Sequence, residues 1–158
     1  DDLVDWTYTG TGARSAENVD IETYGLELIV SRQLEKLEGI ASYSYLHKNE
    51  DYGNSLVDGS FYALNFPEHR ITLSFIYDPN DLLQIRVDNE WREQRANSLR
   101  KGPDNSMYTH LAASYYPARI DDLEVFVAFD KPWDEDFQDI PGTPGRGDQF
   151  SMGATLRW

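Results

Sequence analysis

The sequence predicts an all-β fold, an antiparallel transmembrane β-barrel segment of about eight strands, on three observations. Apolar and polar residues alternate with period two through most of the chain. The connections between alternating stretches are by turns short and long. The last stretch, 149–158, has the pattern of a barrel's closing strand.

The elements follow in chain order. A short opening segment, 3–8, puts Val4, Trp6 and Tyr8 on one side. Tyr24, Leu26, Leu28 and Val30 then oppose Gly25, Glu27 and Ser31, and Ala41, Tyr43 and Tyr45 oppose Ser42 and Ser44. Ile71, Leu73, Phe75 and Tyr77 face away from Arg70, Thr72, Ser74 and Asp78, with Ile76 the exception. The clearest stretch sets Leu83, Ile85, Val87 and Trp91 against Gln84, Arg86, Asp88, Glu90 and Arg92. A softer one sets Met107, Leu111, Ala113 and Tyr115 against Tyr108, His110 and Ser114. Leu123, Val125, Val127 and Phe129 follow, opposite Glu124, Phe126, Ala128 and Asp130. In the last strand Phe150, Met152, Ala154, Leu156 and Trp158 share one face, and Ser151, Gly153, Thr155 and Arg157 the other.

Alternation alone also fits a soluble antiparallel sandwich with one wet face. Full charges in mid-strand (Arg86, Asp88, Glu90) suit a wide, water-filled lumen, although a solvent-facing sheet would tolerate them too. The connections decide between the two. Residues 34–38, 79–82 and 117–122 are short turns, whereas 9–20, 49–68, 95–106 and 131–148 are long and polar. Short turns at one end and long loops at the other are the asymmetry of outer-membrane barrels, with turns in the periplasm and loops outside.

Composition agrees once the period is known. Mean hydropathy is −0.61 and 27% of residues are charged, yet 13% are aromatic, with ten Tyr and four Trp. In a barrel only alternate residues face lipid, and aromatics gather at the two interfaces. Tyr43, Tyr45, Tyr77, Tyr115 and Trp158 are expected in those girdles. A net charge of −14 argues against nucleic acid as a partner, which needs clustered Lys and Arg. The absence of Cys removes disulfides, thiolate metal sites and cysteine nucleophiles. No apolar run reaches the ~18 residues of a transmembrane helix.

Four stretches carry a resemblance to a known family: Asp2-Leu-Val-Asp-Trp6 with Glu17-Asn-Val19 and Tyr24-Gly-Leu-Glu27; Ala41-Ser-Tyr-Ser-Tyr45 with Pro67-Glu-His-Arg70; Trp133-Asp-Glu-Asp-Phe137 with Pro141-Gly-Thr-Pro-Gly-Arg146; and the terminal aromatic strand. In that order they resemble the C-terminal β-barrel of TonB-dependent receptors, the active transporters of the outer membrane of Gram-negative bacteria. The resemblance covers essentially the whole chain, 1–158. The chain departs from it at Phe129-Asp130-Lys131-Pro132-Trp133, where the family has Asn-Leu-Phe before its last loop.

The resemblance implies a 22-stranded barrel, of which these segments are roughly the last eight strands. The N-terminal plug domain, through which the family contacts TonB, would be absent. It implies an outer-membrane receptor that takes up a scarce solute (ferric siderophore, haem, cobalamin or oligosaccharide) and has no enzymatic activity. The partners would be outer-membrane lipid, the barrel-assembly machinery, TonB through the missing plug region, and a small-molecule solute. Phe150, Met152, Ala154, Leu156 and Trp158 resemble the signal read by that machinery, since an unpaired strand edge is a template for strand addition.

The candidate solute-contacting residues are the loop residues Tyr52, Phe61, Tyr62, Trp133 and Arg146. Arg86, Asp88, Glu90 and Arg92 are expected to pair across the lumen wall. Asp134, Glu135, Asp136 and Asp139 could offer oxygens to Ca²⁺, but match no EF-hand spacing, and a solvated acidic loop is the simpler reading. Gly142, Gly145 and Gly147 with Pro141 and Pro144 indicate a tight turn, because no strand-to-helix step follows as a phosphate loop requires. His47, His69 and His110 do not stand at metal-ligand spacing, no nucleophile elbow appears, and no cofactor or metal is expected. Two alternatives remain open: a self-contained eight-stranded structural or adhesive barrel, and a soluble sandwich. Pairing of the first segment with the last would identify the small barrel, although its interior would have to be packed with side chains.

Overall fold

The computed structural model describes residues 3–9, 14–53, 57–60, 66–96, 100–120, 122–134, 136–140 and 143–157. These residues form nine strands and no helix: β1 (Leu3–Tyr8), β2 (Arg14–Gln33), β3 (Leu37–Asp51), β4 (Gly59–Ser60), β5 (Pro67–Asn80), β6 (Leu83–Gln94), β7 (Asn105–Tyr115), β8 (Leu123–Pro132) and β9 (Gln149–Leu156). They make one sheet in the order β4-β1-β2-β3-β5-β6-β7-β8-β9, with every pair antiparallel.

The sheet is open. The strands β1 and β9 lie far apart in its order, and no ladder joins them among the described residues. A closed eight-stranded barrel is therefore not the arrangement observed, and the described residues form no second sheet to make a sandwich. The β2 edge over 20–33 carries no described neighbour on the β1 side, because β1 pairs only from Arg14 to Val19. The outer edge of β9 is likewise unpaired among the described residues.

Strand register turns the period-two pattern into two faces, since residues directly opposite in a ladder point the same way. Across the sheet run Leu28, Tyr43, Ile71, Trp91 and Met107 in one row, and Gly39, Phe75, Val87, Leu111, Phe129 and Phe150 in another. One step along each strand, the rows become Ser42, Thr72, Glu90 and Tyr108, and then Ser74, Asp88, His110 and Asp130. Ile76 stands opposite Arg86, so the exception is real: it is an apolar residue on the polar face.

Two boundaries differ from the sequence reading. Much of the expected loop 9–20 is strand, because Arg14–Val19 pairs with β1 as a hairpin; likewise β3 runs on to Asp51 and a two-residue β4 pairs with Thr7 and Tyr8. These stretches are polar, and hydropathy marks them as loop. Backbone pairing needs no apolar side chain where no second layer packs on the strand.

At the opposite end the turns knit together. The Asp78 amide donates to Lys36 O (2.9 Å), Tyr116 N to Leu82 O (2.9 Å) and Arg157 N to Asp122 O (3.2 Å). Asp122 has φ 59°, the left-handed region in which Asp is one of the few tolerated residues. Two glycines are required by close approach. A Cβ on Gly25 would collide with the Tyr45 carbonyl oxygen of β3. One on Gly153 would sit 2.7 Å from the end of the Phe126 ring, which lies across that glycine.

Candidate functional site

Neither face is covered at mid-strand, and side chains at the centre of the apolar face are open: Phe75 is 42% exposed, Leu111 46% and Val127 44%. In water such a surface would be costly, at ~25 cal/mol per Å² of apolar area. A contiguous patch of this kind marks a surface that faces another apolar phase or partner. Aromatics flank it at both heights. Near the loop end Tyr24 and His47 lie 5.0 Å apart, Tyr45 and His69 5.1 Å, and Tyr43 OH hydrogen-bonds with His69 Nδ1 at 2.9 Å. Tyr77 and Tyr115 stand near the turn end.

The polar face is a web of charge and hydrogen bonds. Arg70 of β5 pairs with Glu90 of β6 at 2.6 Å, Ser42 and Thr72 hydroxyls bond at 2.6 Å, and Ser114 Oγ donates to Glu124 at 2.7 Å. The four β6 charges do not simply pair across the wall. Arg86 bonds Asp88 along its own strand at 2.6 Å, whereas Arg92 reaches the loop residue Asp139. His110 Nδ1 lies 2.6 Å from Asp130 Oδ1, which also accepts from Tyr108 OH at 2.5 Å. On the other face, where the register sets His47 beside Tyr24 and Tyr45, His47 Nδ1 lies 3.1 Å from Glu68. The three histidines therefore have specific partners that their sequence spacing concealed, because each partner lies one strand away.

At the loop end, the described residues of 95–104, with 137–139 and Arg146 of the last loop, lie over this polar face and bury what is beneath. Phe137 is 4% exposed, and Gln94 and Ser106 are 5% exposed. Arg100 is the fastening: its side chain is 1% exposed, it pairs with Asp104 and Gln94, and it donates to Gln138 O (3.2 Å) and Arg95 O (3.3 Å). A guanidinium fits here because its five donors can satisfy several acceptors at once. Phe137 sits under two cations, 4.8 Å from Arg92 and 5.8 Å from Arg100. Gly102, at φ 116°, lets this segment approach Asp136, whose carbonyl oxygen would lie 2.6 Å from an added Cβ.

Of the proposed contact residues, the described ones, Tyr52, Trp133 and Arg146, are not brought together. The Tyr52 hydroxyl accepts from Ser60 N at 3.1 Å, and burial of the phenol raises its pKa. Trp133 donates from Nε1 to Thr109 Oγ1 (2.9 Å) on the apolar face and is 60% exposed. Arg146 lies on the polar face, 6.0 Å above the Tyr108 ring. Phe61, Tyr62, Glu135, Pro141, Gly142 and Trp158 lie outside the described residues. Phe150, Met152 and Leu156 point from the edge strand at 65%, 76% and 50% exposure, with Ala154 between them. Asp134 accepts from Met107 N (3.3 Å) and Asp139 is engaged by arginines; among the described residues no group of three or more His, Asp or Glu could hold a metal ion.

The residue missing from the sequence expectations is Arg100. Arg100 shares its loop with Arg95 and Lys101, and nothing in the spacing singles it out or identifies its partners. Comparison with protein-family models, curated proteins and solved structures finds no match to this chain.

Proposed function

We propose that this chain is part of the wall of an outer-membrane transport barrel of the TonB-dependent receptor kind, with its apolar face to lipid and its polar face to an aqueous lumen. One observation carries the reading: a single uncovered sheet whose rows are apolar on one face and ion-paired on the other. β7 and β8, at 11 and 10 residues, match the ~9–11 residues that cross a bilayer, and β6 exceeds them by one. The aromatics near the loop and turn ends take the positions of interface girdles. Segments 95–104 and 133–148 then lie outside the cell and form the floor of a solute-binding surface, and the open edges of β2 and β9 are where neighbouring strands close the barrel. The exposed row of β9 serves the barrel-assembly machinery as a pairing template. Transport, coupling through TonB and the lack of enzymatic activity belong to the same proposal.

The test is fluorescence quenching. In a variant keeping Trp91 as its only tryptophan, refolded into vesicles, lipid brominated on the acyl chain should quench Trp91 strongly. A monodisperse, unquenched monomer in plain buffer would remove the membrane reading. In the parent cell, deletion should abolish energy-dependent uptake of one scarce solute; unchanged uptake of every solute tried would leave a barrel without the transport role.

A further inference from the structure

From Asp20 to Gln33, β2 pairs with β3 along one edge and with no described strand along the other. Leu26, Leu28 and Val30 on this stretch are 64%, 60% and 59% exposed. Apolar side chains can stay in lipid, but unpaired backbone N–H and C=O groups cannot, so within a bilayer this edge requires a partner strand.

Chain direction limits what that partner is. From β2 through β3, β5, β6, β7 and β8 to β9 every step is antiparallel, so β2 and β9 run the same way. Curling the sheet until β9 meets β2 would make a parallel seam. A second copy in the same membrane offers only edges of that same direction, and would leave the same seam. Bacterial outer-membrane barrels are antiparallel, so the edge requires a strand that runs opposite to β2. β1 is such a strand. It pairs with the outer end of β2, Leu3 opposite Val19, and antiparallel pairing there points the backbone entering Leu3 back along the open edge.

We infer that the open edge of β2 is the docking surface for the segment that enters β1 at Leu3, an amphipathic strand that continues the β1–β2 ladder in unchanged register. This rests on the reading of the sheet as a membrane wall, and it names what seals one side of it. β1 is then the outer tip of a long strand, as Arg14 to Val19 is the outer part of β2. Because the segment extends a strand that is already paired, its docking closes no loop.

The register also dictates the segment's pattern, since opposite residues share a face. Each step from Val19 toward Gln33 is one step back from Leu3. The residues five, seven, nine and eleven steps before Leu3 therefore lie beside Tyr24, Leu26, Leu28 and Val30 on the lipid face, and are apolar. The residue eight steps before Leu3 stands opposite Glu27 on the aqueous face, where a second acid would be repelled.

The experiment uses the parent gene's product extended upstream of Asp1, refolded into vesicles. It carries Ile29→Cys and a second cysteine ten steps before Leu3, directly opposite, and no native Cys of residues 1–158 competes. Oxidation by copper phenanthroline should join the two within one molecule in most of the product, as a gel-mobility shift that reductant reverses. Setting the second cysteine three steps further back moves it ~10 Å along the strand, beyond disulfide reach, and should abolish the bond. No bond at the opposite position, an equal bond at the displaced one, or a bond only between two molecules overturns the proposal. So does an upstream sequence that is absent or that sets charges at the lipid-facing steps, a check that needs no folded variant. Quenching by lipid brominated on the acyl chain is followed on the same samples. Insertion without the bond removes this ladder and leaves the membrane wall, whereas the bond without insertion leaves the ladder and removes the membrane.

Discussion

Arg70 and Glu90 pair at 2.6 Å across neighbouring strands on the polar face, and the residues one step along, Ile71 and Trp91, stand opposite each other on the apolar one. A single step in the chain thus separates an ion pair from an apolar contact. Since side chains alternate strictly, a slip of one residue between β5 and β6 would exchange them, so burial of either face locks the register.

If the apolar face meets lipid, charge there is costly. Ile85→Arg, in the row with Tyr77, Ala113 and Val127, should destabilise the vesicle-refolded chain by about 2–4 kcal/mol. Arg86→Gln, which loses only a half-exposed pair with Asp88, should stay within about 0.5 kcal/mol. Denaturant unfolding in vesicles measures both, and similar costs at the two positions would contradict the assigned facing.

Gly25→Ala and Gly153→Ala should differ. The first drives a methyl into the Tyr45 backbone carbonyl, which cannot move without opening the β2–β3 ladder, whereas the second meets the far end of the Phe126 side chain. Costs of about 2–3 and about 1 kcal/mol follow from overpacking against rigid and movable neighbours. Phe126→Leu should rescue Gly153→Ala in a double-mutant cycle and leave Gly25→Ala unimproved.

Arg100→Met should loosen segments 95–104 and 133–148 together. It leaves Gln94 and the Gln138 carbonyl without this donor, and Asp104 without this cation. The local cost is about 2–4 kcal/mol, below the full figure for a buried pair because Asp104 is 39% exposed and regains water. Limited proteolysis should cut both segments faster, with strand-protected fragments unchanged.

Tyr52 ties the end of β3 to β4. Burial raises its pKa in the fold, so the folded state holds the phenol proton more tightly than the unfolded one. Its contribution is complete below the unfolded value near 10 and fades as pH climbs through the raised folded value. Absorbance titration should show a late-titrating tyrosine that Tyr52→Phe removes.

Much of the sheet was legible because a period of two is written in side chains, and, β4 apart, each described strand pairs with the next in chain order. That exception, β4 on β1, was invisible: Gly59 and Ser60 carry no pattern, and their pairing is decided by where β3 ends. The solute-contact candidates are four loop aromatics and Arg146, whereas the structure concentrates its charge chemistry where the loops meet the polar face. Arg92 was legible as a lumenal charge and Arg146 as a loop cation. Their meeting at Asp139 was not, because Arg92 and Asp139 are remote in the chain and only the sheet brings the last loop back over β6.

By itself the sequence determined eight of the nine described strands in outline, their two faces and the end of the sheet at which the loops gather. All three follow from alternation and turn chemistry, which act over a few residues. Only the tertiary structure decided that the sheet stays open, that Arg100 fastens two loops together, and that Asp139 fills the fork of Arg92 and Arg146. Those are contacts between segments distant in the chain, and they are set by where backbone ladders place each side chain, which no local pattern encodes.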